Sequence, residues 1–151
     1  MKASLEICRA QAADYPAVRA LLEAARLVTE DLDPDLRDFF VALREGEVVG
    51  AVGLEPHASV GLLRSLVVAP EHGGRGVGRA LARQQIEDAD ARGFAELFLL
   101  TTTASAFFER LGFAKIERSA VPEVIRRTPE YSKLCPLSAT VMVRTLGGPS
   151  S

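Results

Sequence analysis

Apolar and polar side chains alternate from Ser4 to Arg9, with Leu5 and Ile7 set against Glu6 and Cys8. A period of two predicts a short strand. Asp14 then reads as a helix N-cap, with Pro16 in the first turn where a missing N–H costs little. Val18, Leu21, Leu22 and Ala25 recur at helical spacing, which predicts an amphipathic helix over about residues 15–26. Thr29 to Pro34 is acidic and irregular, a loop with one helical turn after it. Phe39 to Arg44, a turn at Glu45-Gly46 and Val48 to Leu54 form a hairpin. Val60 to Val68 is a third consecutive strand, ended at Ala69-Pro70. Behind a glycine cluster, Val77, Leu81, Ile86 and Ala89 mark a helix to about Arg92, stopped by Gly93.

Phe94 to Leu100 is nearly continuous in apolar residues, as a central strand is. Thr103 to Leu111 forms a short helix closed by Gly112, and Phe113 to Ser119 another strand. Pro122 to Leu134 is mixed, with one helical turn, and Ala139 to Leu146 is the last strand. The order β-α-(α)-β-β-β-α-β-α-β-β is an α+β, or mixed α/β, layout with antiparallel and crossover connections. No repeat or linker interrupts it, so residues 1–146 read as a single domain and 147–151 as a flexible tail.

Composition narrows the function. Hydrophobic residues make up 48% and charged residues 25% of the 151, the balance of a soluble globular protein. The net charge is −2, with both signs interspersed, which argues against a general nucleic-acid binder. Cys8 and Cys135 are too far apart for a disulfide framework or a zinc site, and His57 and His72 lack metal-ligand spacing. No metal is expected. Neither a signal-length apolar run at the N-terminus nor a stretch of the ~20 apolar residues that cross a membrane is present. The expected location is cytoplasmic, away from membranes.

The strongest chemical signal is a strand, the cluster Gly73-Gly74-Arg75-Gly76-Val77-Gly78, and a long helix. The first N–H groups of a helix lack internal partners and carry the positive end of its dipole. Glycines let that backbone close on an anion without Cβ interference. The product is a site for phosphate or pyrophosphate, to which Arg75 and Arg79 add charge. A Walker loop fails, because Arg79-Ala80 follows Gly78; a dinucleotide fingerprint fails, because its third glycine falls on Arg79 or Leu81. A glycine-rich turn without a ligand is the plain alternative.

With Gly76 and Gly78 at its two glycine positions, the turn resembles the acetyl-CoA loop, Arg/Gln-x-x-Gly-x-Gly/Ala, of the GNAT family of N-acetyltransferases. Leu66 to Pro70 resembles the strand before that loop, and Ala106-Phe107-Phe108-Glu109-Arg110-Leu111-Gly112-Phe113 resembles a later family segment. The resemblance implies a mostly antiparallel sheet of six to seven strands flanked by about four helices. It implies acetyl-CoA as cosubstrate, with Leu66, Val67 and Val68 along the pantetheine arm and amides of Gly74, Arg75, Gly76, Val77, Gly78 and Arg79 around the pyrophosphate. Thr101, Ala104, Phe107 and Phe108 also fall in the cofactor-binding segments. A free amine then attacks the thioester directly, with the Leu66 N–H polarising its carbonyl. Three departures stand out: Gly73 replaces Arg or Gln, Thr101 replaces the usual Asn, and Phe108 replaces a Tyr that protonates the departing thiolate.

Leu63 to Pro70, Leu99 to Ala104, Ala120 to Pro122 and Leu134 to Ala139 resemble the small acetyltransferases of bacterial arsenic-resistance operons, and Arg64-Ser65-Leu66 also resembles domains that make N-acetylglutamate. Both imply a glutamate-like acceptor, or an organoarsenical or phosphinate analogue. Arg64, beside Ser65, is a candidate for binding its carboxylate; the alternative is an outward Arg paired with an acid. Glu55 and Glu30 are general-base candidates, with surface solvation as the alternative for each. Thr102 is a candidate acceptor contact or an ordinary cap. Arg126, Arg127 and Tyr131 are a candidate lid over an anion or a solvated helical face. Other readings are a protein N-acetyltransferase and a non-catalytic acetyl-CoA-binding module. The resemblance also implies a candidate homodimer through Ala139 to Leu146.

Overall fold

In the computed structural model, which describes residues 4–27, 29–74, 76–129, 131 and 139–147, the segments read as strands become the strands of one sheet. They are β1 (Leu5–Arg9), β2 (Phe39–Arg44), β3 (Glu47–His57), β4 (Val60–Val68), β5 (Glu96–Thr101), β6 (Ala114–Ile116) and β7 (Thr140–Thr145). The helices are α1 (Tyr15–Ala24), α2 (Val77–Ala91), α3 (Ser105–Glu109) and α4 (Glu123–Arg126). The sheet order is β1-β2-β3-β4-β5-β7-β6. β1–β2, β2–β3, β5–β7 and β6–β7 pair antiparallel, and β4–β5 pair parallel. The parallel pair needs a crossover, which α2 supplies. The β2–β3 hairpin turns through Glu45 and Gly46, both left-handed at φ 54° and 79°, the conformation a two-residue hairpin loop requires.

Several boundaries differ from the sequence reading, each for a local reason. Among the described residues no helical turn follows the loop after α1. The Asp33 carboxylate accepts the N–H groups of Asp35 and Arg37 at 3.0 and 3.3 Å, offering the backbone an alternative to helix. Asp14 stands at the α1 N-cap, yet its carboxylate accepts from the N–H of Gln11 at 2.9 Å and so ties the preceding 3-10 turn. β3 runs to His57 through Pro56, which a strand tolerates only where no ladder N–H is needed. β6 stops at Ile116 because the chain winds into a 3-10 turn at Arg118–Ala120, whose Arg118 Nη2 donates to the Ala139 carbonyl at 2.7 Å.

The chain divides into two compact units, Met1–Leu54 with Ser65–Ile86 and Glu55–Arg64 with Glu87–Ser151. In the first, Val18 and Leu22 of α1 pack with Leu32, Leu36, Phe39, Val41, Ala51 and Val67. A Cβ on Gly50 would stand 2.9 Å from Leu81 Cδ1 and 2.9 Å from the Val67 carbonyl oxygen, so its absence lets α2 lie directly on the sheet. In the second unit, Ile125 of α4 packs with Leu62, Phe98, Leu100, Val121 and Val141. That contact pins a helix of one turn, too short to be stable alone. Gly112, left-handed at φ 92°, also makes room for Arg144, whose Nε donates to the Leu111 carbonyl at 3.0 Å.

Candidate active site

In the first unit, β4 leaves ordinary strand geometry at Ser65, a buried residue with φ 61°. A left-handed residue inside a strand re-aims the backbone, as a bulge does. Leu66 and Val68 are half-buried beyond it, while Val67 points into the first core. Gly74 and Gly76 then turn with φ 73° and 79°, and a Cβ at either would meet nothing within 4 Å. Glycine is needed there for conformation, and the space outside the turn is open to a ligand. The Gly76 carbonyl accepts the Ala80 N–H at 3.0 Å, so Gly76 stands at the cap and the amides of Val77, Gly78 and Arg79 form the unpaired first turn of α2. Val77 is buried beneath the turn and Arg79 exposed beside it. Arg75 lies outside the described residues. These features fit a pyrophosphate-bearing molecule: positive backbone, open space and no competing carboxylate within the turn. Glu30 is an exposed residue of the loop after α1 in this unit.

In the second unit, the parallel ladder pairs Val60, Gly61 and Leu62 with Glu96, Leu97 and Phe98 and stops there. Leu63 and Arg64 have no register partner on β5 among the described residues, although β5 keeps pairing with β7 as far as Thr101↔Thr140. At the end of β5 the Thr101 Oγ1 accepts the Ala104 N–H at 3.0 Å, which caps the turn into α3 and leaves the hydroxyl hydrogen free to donate. Thr102 is exposed; Ala104 and Phe107 are half-buried. Phe108 is buried, edge-on to Phe107 at 5.0 Å and to Phe113 at 5.8 Å.

A charged cluster sits where β3 ends and β4 begins. Arg64 Nη1 donates to Glu55 Oε1 at 3.1 Å, and His57 Nε2 lies 2.8 Å from Glu55 Oε2. The Arg64 side chain is only 5% exposed, while those of Glu55 and His57 keep 25% and 21%. Glu55 and His57 line an open cavity of about 330 Å³ together with Glu123, Val124, Arg127, Thr128 and Pro129. Arg127 Nη2 and Glu123 Oε2 pair at 2.7 Å on the exposed face of α4, a contact worth little by itself. Thr128 Oγ1 donates to the Ile125 carbonyl and accepts from the Tyr131 N–H, fixing the end of α4.

Sequence reasoning named Glu55 and Arg64 separately; here they are one ion pair, and Arg64 is turned inward rather than out. His57 escaped it. The available signal was the spacing of Glu55 and His57, i and i+2 on one strand, which sends both side chains to the same face. Cys8, at the edge of the first core, is a free thiol pushed above its ordinary value by burial and then by the carboxylates of Glu6 and Asp14. Cys135 lies outside the described residues.

The family model described as the acetyltransferase (GNAT) family matches residues 5–113. The chain belongs to the GNAT family. An uncharacterized GNAT relative, an N-acetyltransferase of Chlorobaculum tepidum, is 33% identical over 119 residues, covering 78% of this chain and 76% of that one. An amino-acid acetyltransferase of Shewanella oneidensis is 30% identical over 121 residues, or 77% of this chain and 27% of that protein. Among solved structures, N-acetylglutamate synthase from Neisseria gonorrhoeae, complexed with coenzyme A and L-arginine, superposes with a TM-score of 0.81 at 25% identity. That match covers 96% of this chain and 34% of the synthase, so the chain spans about a third of that enzyme. The seven-stranded sheet, with four helices among the described residues, is thus a GNAT fold, and the protein is an acetyl-CoA-dependent N-acetyltransferase.

Proposed function

We propose that the acceptor is a small amino-acid-like amine, glutamate or a glutamate-like compound such as an organoarsenical or phosphinate analogue, acetylated by direct attack on acetyl-CoA. The cavity of the second unit carries this reading. Its lining holds two carboxylates, Glu55 and Glu123, an imidazole, His57, and one guanidinium, Arg127. Such a lining is complementary to a zwitterion, which presents an ammonium and a carboxylate together. A polyamine would meet Arg127 with no anion to offer. The relatives named amino-acid acetyltransferase and N-acetylglutamate synthase support the same class.

Within this reading, in the first unit the amides of Gly74, Gly76, Val77, Gly78 and Arg79 hold the pyrophosphate and Leu66, Val67 and Val68 follow the pantetheine arm; in the second unit Thr101, Ala104, Phe107 and Phe108 are the cofactor contacts. The Leu66 N–H is the oxyanion-type donor to the thioester carbonyl. Arg64, acting through Glu55, and Thr102 complete the acceptor contacts in the second unit. Phe108 offers no proton to the departing thiolate. Coenzyme A leaves adequately without one, since a free thiol has a pKa of about 8.5.

Arg127→Ala tests the zwitterion directly. Losing one charge-assisted contact should raise KM for L-glutamate about tenfold, with kcat and the Kd for coenzyme A nearly unchanged. An unchanged KM would remove Arg127 from the acceptor site, and a shift confined to coenzyme A affinity would assign it to the other substrate.

A further inference from the structure

The two oxygens of Glu55 are both committed. Oε1 accepts from Arg64 Nη1 at 3.1 Å, and Oε2 lies 2.8 Å from His57 Nε2. A carboxylate can only accept, so Nε2 carries the hydrogen and the lone pair of the neutral ring falls on Nδ1. Among the described residues Nδ1 has no hydrogen-bond partner, and the ring lines the same cavity as Glu123 and Arg127. The charged groups around it are therefore Glu55 of β3, Arg64 of β4, and Glu123 and Arg127 of the α4 segment.

We infer that His57 is the base that takes the proton from the acceptor's ammonium, with Glu55 as its positioning residue and Arg64 bracing Glu55. The inference rests on the small-amine reading above. Glu55 itself is the poorer base, because a proton arriving there must displace a guanidinium or an imidazole. The step balances simply. One ammonium proton passes to Nδ1 and then to solvent through the exposed edge of the ring. The freed amine forms the C–N bond, the C–S bond breaks with its electron pair on sulfur, and the nitrogen's surplus proton ends on the thiol. The arrangement follows the usual logic of a base held in one tautomer by a third group.

The test uses the full chain, L-glutamate as acceptor and thiol release as readout. At pH 7, His57→Gln should lower kcat about 10²-fold or more, with coenzyme A affinity by calorimetry unchanged. Its kcat/KM should also climb tenfold per pH unit towards the amine's pKa, because only amine already free in solution reacts. The wild-type profile should be much flatter over that range. A purely structural loss would leave the shape of the profile alone. Nitrogen-15 spectra of the imidazoles provide a second readout that needs no acceptor. With two histidines in the chain, the His57→Gln spectrum assigns the signal, which should report hydrogen on Nε2. Wild-type kcat in the variant, or hydrogen on Nδ1, overturns the inference. If wild-type protein does not acetylate L-glutamate, the acceptor reading falls, and the ring tautomer alone then supports or overturns the base.

Discussion

At the residue scale, two kinds of position carry the proposed chemistry, and they tolerate change differently. Gly74 and Gly76 are left-handed with open space around them, so a side chain there strains the backbone by roughly 1–2 kcal/mol without clashing in the protein. Gly76→Val should therefore cost about that much fold stability while also crowding the pyrophosphate. A Kd for acetyl-CoA raised tenfold or more in calorimetry is expected, and an unchanged Kd would remove the turn from the cofactor site. Glu55, His57 and Arg64 are the opposite case. Glu55 contacts both His57 and Arg64 at hydrogen-bond distance, so a change at Glu55 disturbs all three, and their effects should not add.

At the element scale, what places the glycine turn is the seating of α2 on β3 across Gly50. Gly50→Val would drive methyl groups into Leu81 and the Val67 carbonyl. Overpacking of this sort costs about 1–3 kcal/mol, which for a chain of this length lowers Tm by about 2–4 °C per kcal/mol. Thermal melts should show that loss, and coenzyme A affinity should fall with it as the start of α2 is displaced; a wild-type Tm would contradict the packing described. The elements themselves were largely legible. A period-two run announced β1, apolar runs announced β2 and β4, the turn residues Glu45-Gly46 announced the hairpin, and Gly93 and Gly112 marked helix ends. What was not legible depended on tertiary partners. The sequence reading ended β3 at Leu54, so His57 fell outside it. Arg64 gave no sign of its direction, because Ser65, a non-glycine residue, adopts φ 61° and breaks the alternation on which such a judgement rests. The glycine turn proposed for the cofactor stood out in the sequence because glycines at a strand-to-helix turn have few other uses. The proposed acceptor cluster did not, since an acid, a histidine and an arginine are ordinary surface residues until a fold gathers them.

At the scale of the whole molecule, the chain distributes its chemistry over its two units. The first holds the glycine turn and the bent end of β4; the second holds the end of β5 and the charged cavity. A net charge of −2 and the mixed signs of the surface give no broad field for a polyanion or a polycation, so selection of substrates falls to these local groups. The measurement that tests the account most directly is thiol release from acetyl-CoA by the purified protein with L-glutamate, glutamate-like phosphinates and arsenicals, and spermidine. Turnover with one of the zwitterions, at a kcat/KM at least tenfold above spermidine, is the predicted result. Preference for the polyamine, or no release with any amine despite measured acetyl-CoA binding, would contradict it.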